Sequence, residues 1–180
     1  MKKSLLALAL SLGFATTAQA GWISYDLDNV KADAKGGKDS QAHYIRAGGE
    51  FAGFNTMMQA RTASFDGGGM VHSVELTAGK QLGPVSPFVG VGHDLGFNGA
   101  KSFQYGLIGA STGWLVANKI YTYGGIKTRV NWDDANPKQT VTFVGVSLPI
   151  TKQLSANVGA SKSTQDIKET AVGAGIRVSF

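Results

Sequence analysis

Apolar residues alternate with polar or small ones, with a period of two, in segments of about ten residues along most of the chain. The clearest segment ends the chain. One of its faces carries Thr170, Val172, Ala174, Ile176, Val178 and Phe180, and the other carries Ala171, Gly173, Gly175, Arg177 and Ser179. Successive side chains of a β-strand point to opposite faces, so the pattern predicts strands with one apolar and one polar face. No segment shows a sustained helical period.

Ten such segments can be marked, separated by clusters of Gly, Asn, Asp and Pro. They are residues 21–30, 41–51, 54–65, 70–81, 85–96, 101–114, 119–131, 139–149, 153–162 and 170–180. An even number of strands brings both chain ends to the periplasmic side of a membrane. We therefore predict an all-β fold, an antiparallel up-and-down transmembrane β-barrel of ten strands. Eight strands remain possible if two weak segments, such as 41–51 and 54–65, are wrongly divided.

Residues 1–20 have the three parts of a secretory signal peptide: Lys2 and Lys3, an apolar run, and the small-residue end Ala18-Gln19-Ala20. The apolar run is shorter than the roughly 20 residues of a membrane-spanning helix. We expect cleavage after Ala20, which leaves residues 21–180 as a single barrel domain.

Of the 17 basic side chains two leave with the signal, so that 15 remain against 12 acidic ones, a net charge of +3. This mild, scattered excess does not favour nucleic-acid binding.

Two observations limit the chemistry. The chain has no cysteine, which excludes disulfides and thiolate metal sites. Its three histidines lack the spacing of metal ligands, and we expect no metal and no cofactor. A soluble periplasmic β-sandwich acting as a binding protein is a further alternative; it would share the signal peptide, but its polar face would meet bulk water. The polar faces here are rich in Gly, Ser, Thr, Asn and Tyr, which favours a narrow lumen over the sandwich.

The ending Gly173-Ala174-Gly175-Ile176-Arg177-Val178-Ser179-Phe180, together with the signal peptide and the alternating hairpins, resembles bacterial outer-membrane β-barrel proteins as a class. The resemblance covers the mature chain in pattern and only the last strand in motif, and it singles out no family within the class. It implies location in the outer membrane and contact with its lipids and lipopolysaccharide. It also implies insertion by the barrel-assembly machinery, with help from periplasmic chaperones, and Ile176, Val178 and Phe180 would be the assembly signal.

The alternation also predicts which charged side chains face the lumen. They are Arg46, Glu50, Arg61, Glu75, Asp94, Lys127, Arg129 and Arg177. Side chains can fill a barrel of eight to ten strands, and unpaired charge in such a confined space is unfavourable. We therefore expect an internal ion-pair network. The predicted function is structural or passive: stabilising the envelope, or letting ions and very small solutes through a polar conduit.

Aromatic residues lie near the predicted strand ends, as in the girdles of membrane barrels. Trp132 is expected at the external rim, and Trp114 and Phe180 at the periplasmic rim. The set comprises Trp22, Tyr25, Phe51, Phe54, Phe88, Phe97, Phe103, Trp114, Trp132 and Phe180.

A surface hydrolase is the alternative function. Outer-membrane lipid A deacylases use Ser, His and Glu, and His72-Ser73 with Glu75 superficially resembles that set. Omptin proteases place two acidic residues opposite an Asp-His pair, for which this chain offers His93, Asp94, Asp133 and Asp134 as residues to test. Adjacent residues of a strand point to opposite faces, so neither arrangement readily forms a catalytic pair. The passive barrel is therefore favoured.

Overall fold

The computed structural model describes residues 19–33, 37–96, 102–116, 119–132, 138–165 and 168–180. Ten β-strands account for most of them. They are β1 (Gln19–Ala32), β2 (Ser40–Phe51), β3 (Phe54–Phe65), β4 (Met70–Gly79), β5 (Val85–Gly96), β6 (Phe103–Val116), β7 (Ile120–Asn131), β8 (Lys138–Pro149), β9 (Leu154–Gln165) and β10 (Glu169–Ser179). Each corresponds to one predicted segment. No helix in these ranges is long and apolar enough to cross a membrane.

The strands form a single closed sheet in which each strand pairs with its neighbours in sequence and β1 pairs with β10. All ten pairings are antiparallel, and the closing one aligns Tyr25 with Ile176. Closure leaves no strand edge unpaired. The predicted up-and-down barrel is therefore confirmed, and the two-sheet sandwich is wrong.

A tight turn decides between ten and eight strands. Ala52 and Gly53 join β2 to β3, and both have positive φ angles, 51° and 79°. Positive φ at both central residues is the mark of a type I′ turn, whose twist suits a two-residue hairpin. Segments 41–51 and 54–65 are thus separate strands, and the eight-strand alternative is wrong.

The barrel has two distinct ends. We call the end that holds Gly21, Phe180 and the turn at Ala52 the terminal end, and the opposite end, with residues 66–69, the loop end. The backbone N–H of Phe180 donates to the carbonyl of Gly21 (2.9 Å), which fastens the last residue to the first strand. β1 itself begins at Gln19, two residues before the predicted mature N-terminus.

The outer face of the barrel is apolar and exposed, whereas the inner face is polar and largely buried. Ile108 and Val144 on the outer face are 63% and 61% exposed. Buried polar side chains on the inner face include Asp26, Gln59, Ser73, Glu75, Thr77 and Asn157. Water-soluble proteins have the reverse distribution, so this pattern fits a lipid surface around a polar lumen.

Exposed aromatic side chains lie at both ends. Trp132 follows β7 at the loop end, and Trp114, Phe51, Phe54 and Phe180 lie at the terminal end. The positions predicted for Trp114, Trp132 and Phe180 agree with this arrangement, while Phe97 lies outside the described residues.

Candidate functional site: the barrel lumen

A cavity of about 830 Å³ occupies the lumen and is lined by residues from all ten strands. Its lining includes Glu50 and Gln81 at the terminal end, and Phe65 and Glu169 at the loop end. The cavity therefore runs along the barrel instead of forming a closed pocket.

Glu75 on β4 is the centre of the polar contacts inside the barrel. Its side chain is only 1% exposed. It accepts hydrogen bonds from the Tyr105 hydroxyl (2.9 Å), the Lys127 ammonium (2.7 Å) and the Gln59 amide (3.3 Å). Arg129 forms a second ion pair with the same carboxylate. Two cations and two neutral donors thus compensate one buried charge, as a buried carboxylate requires.

The contacts continue to both sides of Glu75. On one side Arg46 donates to Gln59 (2.8 Å) and to Asp26 (2.6 Å), and Ser24 also donates to Asp26 (3.0 Å). On the other side Arg129 donates to Gln139 (2.8 Å). Seven strands contribute to this set, which we call the lumen network: Ser24, Asp26, Arg46, Gln59, Glu75, Tyr105, Lys127, Arg129 and Gln139.

Strand register explains why these side chains meet. Arg46 pairs directly with Gln59, and Gln59 with Glu75, so the three stand in one row across β2, β3 and β4. Directly paired side chains lie close enough to interact. Tyr105 lies two strands beyond Glu75, and its ring must cross β5 to reach the carboxylate.

A glycine makes that crossing possible. Gly92 is the β5 residue between Glu75 and Tyr105 in the row. A Cβ atom on Gly92 would lie 2.3 Å from Cζ of Tyr105, so any side chain there would displace the ring. Tyr123 lies over Gly145 in the same way, with Cζ 2.5 Å from the position of an added Cβ. Glycine thus allows aromatic rings to lie flat against the lumen wall.

All eight charged residues predicted to face the lumen contribute to the cavity lining or to the lumen network. Four of them, Arg46, Glu75, Lys127 and Arg129, belong to the network. The other four lie outside it. Asp94 accepts a hydrogen bond from Ser73, Arg61 lies 5.8 Å from the Tyr44 ring, Arg177 lies 4.3 Å from the Trp22 ring, and Glu50 is exposed at the terminal end.

The prediction missed Asp26, which pairs with Arg46, and Asp28, which also lines the cavity. The signal was present in the sequence, because Ser24, Asp26 and Asp28 alternate with apolar neighbours along β1. The neutral members of the network, such as Gln59 and Gln139, carry no comparable signal.

The candidate catalytic residues that the structure describes are not brought together. Asp94 lines the cavity, whereas His93, the adjacent residue of β5, faces outward. Ser73 and His72 diverge in the same way, and His72 meets Thr62 (2.8 Å) on the outer face. Asp133 and Asp134 lie outside the described residues. Within the described ranges no group of three or more His, Asp or Glu side chains could hold a metal ion.

The sequence and the structure of this chain were compared with those of known proteins. No protein-family model matches the chain, and no curated protein matches it. Solved structures do match. The β domain of the Bordetella autotransporter BrkA aligns with 89% of this chain and 99% of its own, at 12% identity and a TM-score of 0.54. The translocator domain of the autotransporter NalP from Neisseria meningitidis aligns with 99% of this chain and 95% of its own, at 12% identity and a TM-score of 0.53.

This chain has the fold of an outer-membrane β-barrel. Neisserial surface protein A also matches, at 15% identity and a TM-score of 0.49, over 89% of this chain and 97% of its own. At these identities the likeness concerns the fold of the barrel, and its activity has to be argued from the lumen.

Proposed function

We propose that this protein is an integral outer-membrane barrel whose lumen lets ions and very small solutes pass beside the lumen network. The observation that carries the proposal is the cavity that extends from Glu50 at the terminal end to Glu169 at the loop end. A barrel with a structural role alone would have no need of a cavity along its lumen.

The outer face supports membrane insertion. Exposed Val, Ile and Leu side chains cover it, and closure satisfies the backbone hydrogen bonds of the strands, the two conditions for a sheet in lipid. Its lipid neighbours would be outer-membrane lipids and lipopolysaccharide.

The lumen network is one-sided, and this leaves room for a passage. Its bulky members extend from β2, β3, β4, β6 and β7. The facing wall on β9 and β10 carries small side chains, namely Asn157, Gly159, Ser161, Ser163, Ala171 and Gly173. The proposed path runs between this small-residue wall and the network.

Export and assembly complete the proposal. The signal peptide would be removed after Ala20, and periplasmic chaperones would carry the barrel to the assembly machinery. Ile176 and Val178 are exposed on the outer face of β10, and the exposed Phe180 directly follows that strand, so another protein could bind all three before the barrel closes.

Conductance in planar lipid bilayers tests the passage. We expect the purified protein to give discrete conductance steps, and Ser161→Trp to reduce them by more than half, because the indole would enter the path from the small-residue wall. Val158→Trp is the matched control, since Val158 lies on the outer face of the same strand and is exposed. A protein that inserts without conducting, or equal steps for both variants, would contradict the proposed path.

A further inference from the structure

The terminal half of the lumen contains hydrogen-bond donors that have no acceptor. Tyr121, Tyr123, Trp22 and Arg177 all line the cavity there. The Nε atom of Arg177 is buried and has no hydrogen-bond partner, and the phenol groups of Tyr121 and Tyr123 form no hydrogen bond within the described residues. A buried donor is normally satisfied, so the Nε atom of Arg177 lacks the acceptor that such a group usually has.

Arg177 is held in place without being neutralised. Its guanidinium stacks on the Trp22 ring at 4.3 Å, and its electrostatic neighbours are Tyr123, Asp26, Arg46 and Tyr121. Asp26 is already paired with Arg46 at 2.6 Å. No described carboxylate lies within ion-pair distance of Arg177.

Arg61 and Arg129 also have a buried Nε atom without a hydrogen-bond partner, but their charged neighbours differ from those of Arg177. Arg46, Lys127 and Arg129 each have a carboxylate partner. Arg61 has none in contact, but both Asp28 and Asp94 interact with it electrostatically. Arg177 is therefore a lumen cation that has no ion-pair partner among the described residues.

We propose that Arg177, Tyr121, Tyr123 and Trp22 form a binding site for a small organic carboxylate in the terminal half of the lumen. A guanidinium stacked on an aromatic ring leaves its N–H edge free for two parallel hydrogen bonds to a carboxylate. The tyrosine hydroxyls are further donors, and the stacked rings of Tyr121 and Tyr123 line the cavity as an apolar surface for the body of the ligand. The site deepens the proposed function, since it lies in the passage and would select the anions that enter it.

Quenching of Trp22 fluorescence measures binding directly. Trp114 and Trp132 lie on the outer face, so Trp114→Phe and Trp132→Phe leave Trp22 as the reporter inside the barrel. The probe is 4-nitrobenzoate, an absorbing carboxylate, and nitrobenzene is its uncharged control. We expect saturable quenching by 4-nitrobenzoate alone, in purified protein in detergent micelles.

Two variants and one control locate the site. Arg177→Gln should weaken 4-nitrobenzoate binding by about tenfold or more, the usual effect of losing a charge-assisted hydrogen bond. The double variant Tyr121→Phe, Tyr123→Phe keeps the rings, removes both donors and should weaken binding by several fold. Arg61→Gln, which removes a lumen cation outside the site, should change binding by less than about twofold.

The outcomes separate this site from the proposed passage. Equal quenching by nitrobenzene, absence of saturable quenching, or unchanged binding in both site variants would overturn the site. Binding is measured in micelles and needs no conductance, so a protein that binds the probe and does not conduct would retain the site and lose the passage. Heat-modifiable gel mobility identifies the folded form of each variant before titration.

Discussion

At the scale of single residues, Glu75 determines how the lumen is organised. One carboxylate draws contacts from β3, β6 and β7 into the centre of the barrel. Its role could not be predicted from the sequence, because it depends on the register between strands that are distant in the chain. The sequence did predict that Glu75, Lys127 and Arg129 face inward, since alternation alone decides which face a residue occupies.

Removing the Glu75 charge should destabilise the barrel strongly. In Glu75→Ala, Lys127 and Arg129 lose their common partner and remain buried, and breaking a buried ion pair in this way costs about 3–5 kcal/mol. The free energy of unfolding in urea, measured in lipid vesicles, gives the value. Glu50→Ala is the control, because that carboxylate is exposed and forms no ion pair in the described residues. Equal losses in the two variants would show that the lumen network does not stabilise the fold.

At the scale of the strands, the period of two was sufficient to find all ten. It works because each strand separates an apolar outer face from a polar inner face, so β10 can be recognised from Thr170 to Phe180. Strand ends were less well predicted. β9 continues to Gln165, where the predicted segment stopped at 162, because Ser163 still pairs with Glu169 in β10.

The turn between β2 and β3 contains a residue whose substitution should increase the stability of the barrel. Ala52 has a positive φ of 51°, a conformation that is unfavourable for alanine and well tolerated by asparagine. We expect Ala52→Asn to raise the free energy of unfolding by about 0.5–1 kcal/mol, and Ala52→Val to lower it, since β-branched residues avoid positive φ. Urea titration of the two variants measures both changes. A lower stability for the asparagine variant would contradict the type I′ assignment.

At the scale of the whole molecule, a substitution of Phe180 can distinguish an effect on assembly in the cell from an effect on the stability of the folded barrel. Its ring is 56% exposed, so Phe180→Ala should change the stability of the refolded barrel little. If the ring is part of the assembly signal, cells should nevertheless contain severalfold less folded barrel in the outer membrane. Heat-modifiable gel mobility of the outer-membrane fraction measures that amount.

The matched variant for this prediction is Phe54→Ala, which removes an exposed aromatic from the same end of the barrel but from β3. Equal losses of folded protein in the two variants would assign the effect to the aromatic girdle rather than to β10.

Closure of the barrel also determines where the two chain ends lie. The hydrogen bond between Phe180 and Gly21 brings these two residues together, and β1 meets β10 through a ladder like the other nine. The folded barrel therefore has no preferred starting strand. A chain joined from Phe180 to Gly21 by a short linker and opened at Gly68 would keep the same ten pairings and the same lumen, with its ends moved to the opposite mouth.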